Sequence, residues 1–103
     1  MLYKIKIDQE ALIDLQEIIV WYNNQTQGLG ARFFKQTSTQ LNILRKTPFI
    51  FSTRYDDVRC MIIKKFPFMV HYQIDPIQKT VFIFAVFHTS RNPKIWQGRD
   101  KKN

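Results

Sequence analysis

Four basic side chains in the second half of the chain are of the types that bind and cleave a phosphodiester: Arg59, His71, His88 and Arg91. Arginine binds phosphate and stabilises the charge that develops in a transition state, while histidine acts as a general acid or base. The residues also allow a structural interpretation, in which Arg59 pairs with a nearby aspartate, His71 is solvated and His88 simply ends a strand. Both interpretations stay open until the elements that position these side chains are considered.

Three further residues are candidates for contacting a partner: Lys65, Trp96 and Arg99. A tryptophan near an arginine could stack on bases and contact phosphates, although Ile95 and Trp96 on a short terminal helix would more often serve packing. The sequence has no glycine-rich phosphate loop, no nucleophile elbow and no metal-ligand spacing, so neither a cofactor nor a metal is expected. Cys60 falls within an apolar strand and is expected to be a buried structural thiol.

The composition indicates a small basic domain with an anionic partner. The 103 residues carry 16 Lys and Arg against 8 Asp and Glu, a net charge of +8, which favours nucleic acid, a membrane surface or an acidic protein as partner. The length predicts a single domain over residues 1–103. No apolar run is long enough to span a bilayer and the start lacks the features of a signal peptide. With one cysteine only, the expected location is the cytoplasm, without membrane attachment.

The first half of the chain predicts two amphipathic helices. Asp8 is a suitable N-cap for a first helix that runs to about Asn24. A second helix is predicted from Leu29 or Gly30 and is stopped by Pro48. Its expected buried stripe consists of Phe33, Phe34, Thr37, Leu41 and Leu44.

Strand patterns precede and follow the helices. The predicted strands are residues 2–7, 49–52, 58–65, 68–74 and 80–87. The last is an uncharged, β-branched and aromatic run that predicts a central strand buried on both faces. The first strand is expected to join the middle of the sheet beside a later strand, and Pro93 is expected to begin a short C-terminal helix.

This order predicts an α+β fold, β-α-α-β-β-β(-β), with a two-helix hairpin on one face of an antiparallel sheet. Strand alternation places Arg59 and Lys65 on one side of their strand together with Met61 and Ile63. The face away from the helices is then expected to carry Arg59, Lys65, His71, His88 and Arg91.

Several short motifs occur in a fixed order along nearly the whole chain. They are Ala11-x-x-Asp14-Leu15-x-Glu17-Ile18 with Trp21-Tyr22, Leu29-Gly30-x-x-Phe33, Pro48, Val58-Arg59, Phe66-Pro67-Phe68-x-Val70-x-Tyr72, and Val86-Phe87-His88-x-x-Arg91-Asn92-Pro93-x-x-Trp96. In this combination, length and charge the chain resembles the RelE/ParE superfamily of toxins from bacterial type II toxin–antitoxin modules. The resemblance implies a basic toxin that arrests growth until a cognate antitoxin wraps and silences it.

The resemblance implies one of two targets. RelE-like members are metal-independent endoribonucleases that cut mRNA on the ribosome with basic residues and a Tyr or His near the last strand. ParE-like members lack that set and poison DNA gyrase. Here Met69 stands where the nucleases carry a basic residue, the position just after the last strand matches His88 or Thr89, and no Tyr follows. These departures favour a ParE-like toxin that binds gyrase; the alternatives are a RelE-like nuclease and a non-toxic basic binding domain.

Overall fold

The computed structural model describes residues 2–91. Its helices and strands are β1 (Lys4–Ile7), α1 (Gln9–Gln25), α2 (Leu29–Lys46), β2 (Thr53–Tyr55), β3 (Val58–Ile62), β4 (Phe68–Asp75) and β5 (Thr80–His88). Two helices followed by a meander of strands confirm the predicted α+β class. The predicted C-terminal helix from Pro93 lies outside the described residues. Neither helix among residues 2–91 combines the length and the apolarity that crossing a bilayer requires.

The first helix forms as its pattern predicts. The Asp8 carboxylate accepts a hydrogen bond from the backbone N–H of Glu10 at 3.3 Å and so caps one of the helix's unsatisfied donors. The buried residues recur every three or four positions, at Ala11, Leu15, Ile18 and Tyr22. This spacing places one apolar stripe against the sheet.

The second helix packs closely against the first. Gly28 precedes it with a φ of 85°, in the left-handed region that glycine adopts at low cost. A Cβ at Gly30 would collide with the backbone oxygen of Ile19, and the Gly30 N–H donates to Asn23 Oδ1 at 2.8 Å. The predicted stripe is confirmed at Phe33, Thr37 and Leu44, whereas Leu41 is half-buried. Phe34 was wrongly placed in it: its side chain is 52% exposed, because adjacent helical residues point about 100° apart.

The five strands form one sheet in the order β1-β5-β4-β3-β2. The prediction that the first strand lies in the middle is wrong: β1 is an edge strand, paired in parallel with residues 80–83 of β5. An edge position suits it, because Lys4 and Lys6 stay exposed and a central strand would have to bury both of its faces. The prediction of an inner β5 is correct, since it lies between β1 and β4.

Two predicted strand boundaries are wrong. Residues 49–52 form no strand, because the segment is tied down in another way: Tyr72 donates its hydroxyl to the Pro48 carbonyl at 3.1 Å and Arg59 donates to the Phe51 carbonyl. The third strand ends at Ile62 rather than at Lys65, which has a φ of 72° in the turn to β4. A positive φ cannot continue a strand.

The strand register separates two faces. Cross-strand partners share a face, so Arg59 and Tyr72 lie together, and Cys60 and His71 lie together on the other side. Tyr72 belongs to the core beneath the helices, whereas Cys60 belongs to a second buried cluster with Val58, Met69, Phe84, Ala85 and Phe87. Arg59 does share a side with Met61 and Ile63, as predicted, but this is the helix-covered face and not the opposite one.

Candidate functional site

An open groove lies between α1 and the second half of β5. β1 pairs only with residues 80–83, so the rest of β5 borders α1 instead of another strand. Asp14 on α1 compensates for the missing partner, because its Oδ2 accepts a hydrogen bond from the Val86 N–H at 3.0 Å. The space that remains between helix and strand has a volume of about 450 Å³.

The groove has an apolar floor and polar walls. It is lined by Asp14, Glu17, Ile18, Trp21, Tyr22, Pro67, Phe68, Val86, His88 and Arg91. Tyr22 is held in place by ring contacts, with centroids 5.6 Å from Phe33, 5.2 Å from Phe66 and 6.1 Å from Phe68. Trp21 is 55% exposed, although its ring centre lies 5.1 Å from that of Tyr22. A fixed floor beside an exposed indole suits the binding of an apolar segment.

Two of the four predicted catalytic residues meet at this groove. His88 ends β5, and its Nδ1 accepts hydrogen bonds from the Ser90 N–H at 3.1 Å and from the Ser90 hydroxyl at 2.8 Å. Neutral His88 therefore carries its proton on Nε2. Arg91 donates its backbone N–H to the His88 carbonyl at 3.0 Å, and its guanidinium lies 4.8 Å from the Phe87 ring centre. The tight turn after β5 thus holds both residues beside the groove.

Carboxylates face His88 and Arg91 across the groove. Asp14 and Glu17 both come from α1, one helical turn apart, and both line the same space as His88 and Arg91. A polyanion such as RNA would meet two negative charges beside the two basic groups. The mixture of charges over an apolar floor is better matched to a polypeptide, which presents both signs of charge and apolar side chains.

His71 lies elsewhere and is sealed. It is fully buried on the face opposite the helices, where its Nδ1 lies 3.1 Å from the Tyr55 hydroxyl and 3.5 Å from Cys60 Sγ. Its ring centre is 5.3 Å from that of Phe87 and 6.3 Å from that of Phe84. The expectation that His71 is either solvated or part of an open basic face is wrong, because the second cluster encloses it.

The thiol beside His71 is unsuited to nucleophilic chemistry. Burial raises the pKa of Cys60 to about 11, an effect that the nearby positive charge of Arg54 only partly offsets. At neutral pH the side chain is therefore a thiol and not a thiolate. Cys60 is a free, buried cysteine, as predicted.

Arg59 serves the fold on the helix-covered face. It donates to the Phe51 carbonyl, and its guanidinium lies 5.0 Å from the centre of the Phe49 ring. Both partners belong to the segment that connects α2 to β2. The sheet therefore separates Arg59 from His71. The contacts of Arg59 with Phe51 and Phe49 account for its position, in place of the predicted aspartate pair or phosphate site.

The partner-binding candidates are only partly described. Lys65 is exposed in the β3–β4 turn, where a side chain can reach a partner without disturbing the core. Trp96 and Arg99 lie outside the described residues. Within residues 2–91, no three His, Cys, Asp or Glu side chains come together in a way that could hold a metal ion.

The residues of α1 in the groove were missed as a site by sequence reasoning. Asp14, Glu17 and Trp21 were noted only as carriers of a family resemblance. Their spacing of three and four positions already placed them on one side of a helix, beside the buried Ile18. The length of β1 could not be predicted from the sequence. Because β1 ends at Ile7, the second half of β5 is left to border α1.

Comparisons with known proteins agree with this fold. The model of the ParE toxin of the type II toxin–antitoxin system parDE matches residues 5–93. A structure of the chromosomal ParDE system from P. aeruginosa superimposes with a TM-score of 0.72 at 16% identity, covering 84% of this chain and 96% of that one. A mutant of E. coli toxin RelE in the free state superimposes with a TM-score of 0.73 at 17% identity, covering 96% of this chain and 95% of that one.

A toxin bound to its antitoxin is also among the similar structures. The intact E. coli RelBE toxin–antitoxin complex gives a TM-score of 0.68 at 20% identity, covering 86% of this chain and 99% of that one. No curated protein sequence matches. At these identities the structures establish the fold, whereas the family model, which matches most of the chain, establishes the family. The chain therefore belongs to the ParE toxin family of type II toxin–antitoxin systems.

Proposed function

We propose that this toxin arrests growth by binding DNA gyrase and does not cut mRNA. The observation that carries the proposal is the separation of the four candidate catalytic residues. Arg59 and His71 lie on opposite faces of the sheet, and only His88 and Arg91 share a groove. General acid–base cleavage needs its proton carrier and its charge-stabilising groups around one reacting phosphate, so the divided set argues against a nuclease built from it.

The electrostatics of the groove support the same proposal. Asp14 and Glu17 oppose the approach of an RNA backbone to His88 and Arg91. The apolar floor of Ile18, Tyr22 and Phe68 offers contact area to a protein segment instead. A toxin that acts by binding a protein needs no catalytic constellation.

A cognate antitoxin is the second partner. The similarity to toxins that are seen in complex with their antitoxins supports this partner. With a net charge of +8, the toxin attracts an acidic segment electrostatically. Such a segment would neutralise the toxin by covering the surface that reaches its target.

The proposal is tested by adding purified toxin to purified gyrase and relaxed or supercoiled plasmid. We expect inhibition of supercoiling that grows with toxin concentration and disappears when the antitoxin is added first. Full supercoiling activity with saturating toxin would contradict the proposal. Primer extension on translated mRNA after induction serves as the complementary assay, where cuts in the ribosomal A site would favour the nuclease.

A further inference from the structure

The end of the sheet opposite the groove combines exposed apolar side chains with cations. We call this surface the basic end and define it by Lys46, Phe49, Ile50, Ile77 and Lys79. Three parts of the chain meet there: the start of β1, the end of α2 and the β4–β5 turn. The backbone joins them, because the Tyr3 N–H donates to the Arg45 carbonyl at 2.9 Å and the Lys4 N–H to the Lys79 carbonyl at 2.8 Å.

Ring contacts interleave the cations with the apolar groups. The rings of Tyr3 and Phe49 meet edge to face with centroids 6.3 Å apart. Lys79 Nζ lies 5.6 Å from the Tyr3 ring centre, and the Arg59 guanidinium lies 5.0 Å from that of Phe49. These contacts join Lys79, Tyr3, Phe49 and Arg59 into one supported surface, and Ile77 lies two residues before Lys79 in the β4–β5 turn.

The apolar side chains of the basic end remain largely exposed. Ile77 is 91% exposed, Ile50 59% and Phe49 52%. The turn that carries Ile77 is fixed by other atoms, because Asp75 Oδ1 accepts from the N–H groups of Ile77 and Gln78, each at 3.1 Å. Since stability does not require an isoleucine at this position, its exposure is available for binding.

The charge of the basic end is positive. Lys46 lines the same surface as Phe49 and Ile50, and Lys79 lies over the Tyr3 ring. The carboxylate of Asp75 is already engaged by the backbone of its own turn. Asp56 and Asp57 lie in the β2–β3 turn, at the edge of the sheet opposite β1.

We propose that the basic end is the surface by which the toxin docks on its protein target, and that the target presents an acidic surface with an apolar recess. The inference rests on the proposed function, namely action by binding a protein. Aliphatic side chains such as Ile50 and Ile77 neither stack on bases nor hydrogen-bond to them, so nucleic acid explains them poorly. Phe49 is held between Tyr3 and Arg59 and cannot insert deeply into a bilayer.

The test is a charge reversal at the basic end, by the double substitution Ile77→Asp and Lys46→Glu. We expect growth arrest after induction to be lost and inhibition of purified gyrase to weaken about 100-fold, as for the loss of an interface hot spot. Ile62→Asp is the control for the apolar-to-acidic change, because Ile62 is 55% exposed on β3 and lies outside both the basic end and the groove. The control should arrest growth as wild type does.

The outcomes separate this inference from the proposed function. Unchanged growth arrest by the double variant, at wild-type expression and melting temperature, overturns the basic end as the docking surface. If wild-type toxin neither inhibits gyrase nor cuts mRNA on the ribosome, loss of arrest in the double variant contradicts gyrase but supports the basic end as the docking surface for another protein. Binding of wild type to phosphatidylglycerol vesicles, abolished by the double substitution, would assign the surface to lipid. If the double variant melts early, Ile77→Asp alone carries the same expectation.

Discussion

The two histidines of this chain have similar sequence surroundings and opposite structural ones. His71 and His88 both follow apolar strand residues, yet His71 is enclosed with Tyr55 and Cys60 whereas His88 borders an open groove. The difference comes from the sheet register, which places them on different faces. We infer that the sealed cluster of His71, Tyr55 and Cys60 is needed for stability and the basic side chains at the groove are not, so substitutions in the two places should have different consequences.

The largest expected difference in stability is between the two histidines themselves. His71→Ala removes a fully buried ring and the hydrogen-bond partner of Tyr55, so it should lower the free energy of unfolding by about 2–4 kcal/mol. His88→Ala removes a half-buried ring and should cost less than about 1 kcal/mol. Urea denaturation measures both, and equal losses would contradict the contrast between the two environments.

A second prediction concerns alkaline pH and the sealed cluster. The pKa of Cys60 is raised from 9.0 to about 11 in the folded protein. The contribution of the protonated thiol to the free energy of unfolding is therefore complete below pH 9 and is lost as the pH rises to about 11. Between pH 9 and 11 the thiol ionises in the unfolded chain but not in the folded one. The free energy of unfolding of wild type should therefore fall by up to about 1.4 kcal/mol per pH unit through this group. Cys60→Ala should show a shallower decline between pH 9 and 11. If the free energy of unfolding falls equally with pH in both proteins, burial does not raise the pKa of the thiol.

Tyr72 extends the same effect to the helix-covered face. Burial raises its pKa to about 12, against the lowering influence of Arg59. Its contribution is complete below pH 10 and is lost towards pH 12. Because the negative charge of ionised Cys60 also contributes to the raised pKa of Tyr72, Cys60→Ala should make this later decline slightly shallower as well.

A third prediction concerns the hydrogen bond between Asp14 and Val86 that joins α1 to β5 at the groove. Asp14→Ala leaves the Val86 N–H without its carboxylate acceptor and should cost about 1–3 kcal/mol. Asp14→Asn keeps an acceptor oxygen of similar shape and should cost less. Thermal denaturation of the three proteins ranks them, and an Asn variant as unstable as the Ala variant would show that shape does not rescue the contact.

The smallest expected effect is on toxicity. The joint substitution His88→Ala and Arg91→Ala removes the two basic groups of the groove, but under a gyrase-binding mechanism neither performs chemistry. Growth arrest should persist, with a change of less than about tenfold in the amount of toxin needed, as is usual for most residues away from a binding hot spot. Complete loss of toxicity in a folded variant would favour a catalytic role for this pair.

The sequence predicted the elements well where periodicity alone decides them. The apolar stripe of α1 follows from residue spacing and is confirmed. The same holds for the common face of Phe68, Val70, Tyr72 and Ile74 on β4, all of which pack in the core beneath the helices. The register of the sheet does not follow from spacing. Residues 84 and 85 interrupt the alternation of β5 opposite His71 and Tyr72, which turns His88 towards α1. A one-residue irregularity of this kind reassigns every later side chain to the other face.

The candidate site was harder to predict for the same reason. Arg59, His71 and His88 were grouped because each lies on a strand, but their faces depend on which strands pair and where β1 stops. The groove itself arises because β1 is four residues long while β5 has nine. Such a mismatch between distant segments is a tertiary property and leaves no local pattern in the sequence.

The most direct test of the central claim is gyrase supercoiling in the presence of the His88→Ala and Arg91→Ala double variant and of wild type. We expect both proteins to inhibit purified gyrase with similar concentration dependence, because inhibition arises from binding and not from catalysis by these groups. Failure of wild-type toxin to inhibit gyrase at any concentration, together with mRNA cleavage that disappears in the double variant, would contradict it.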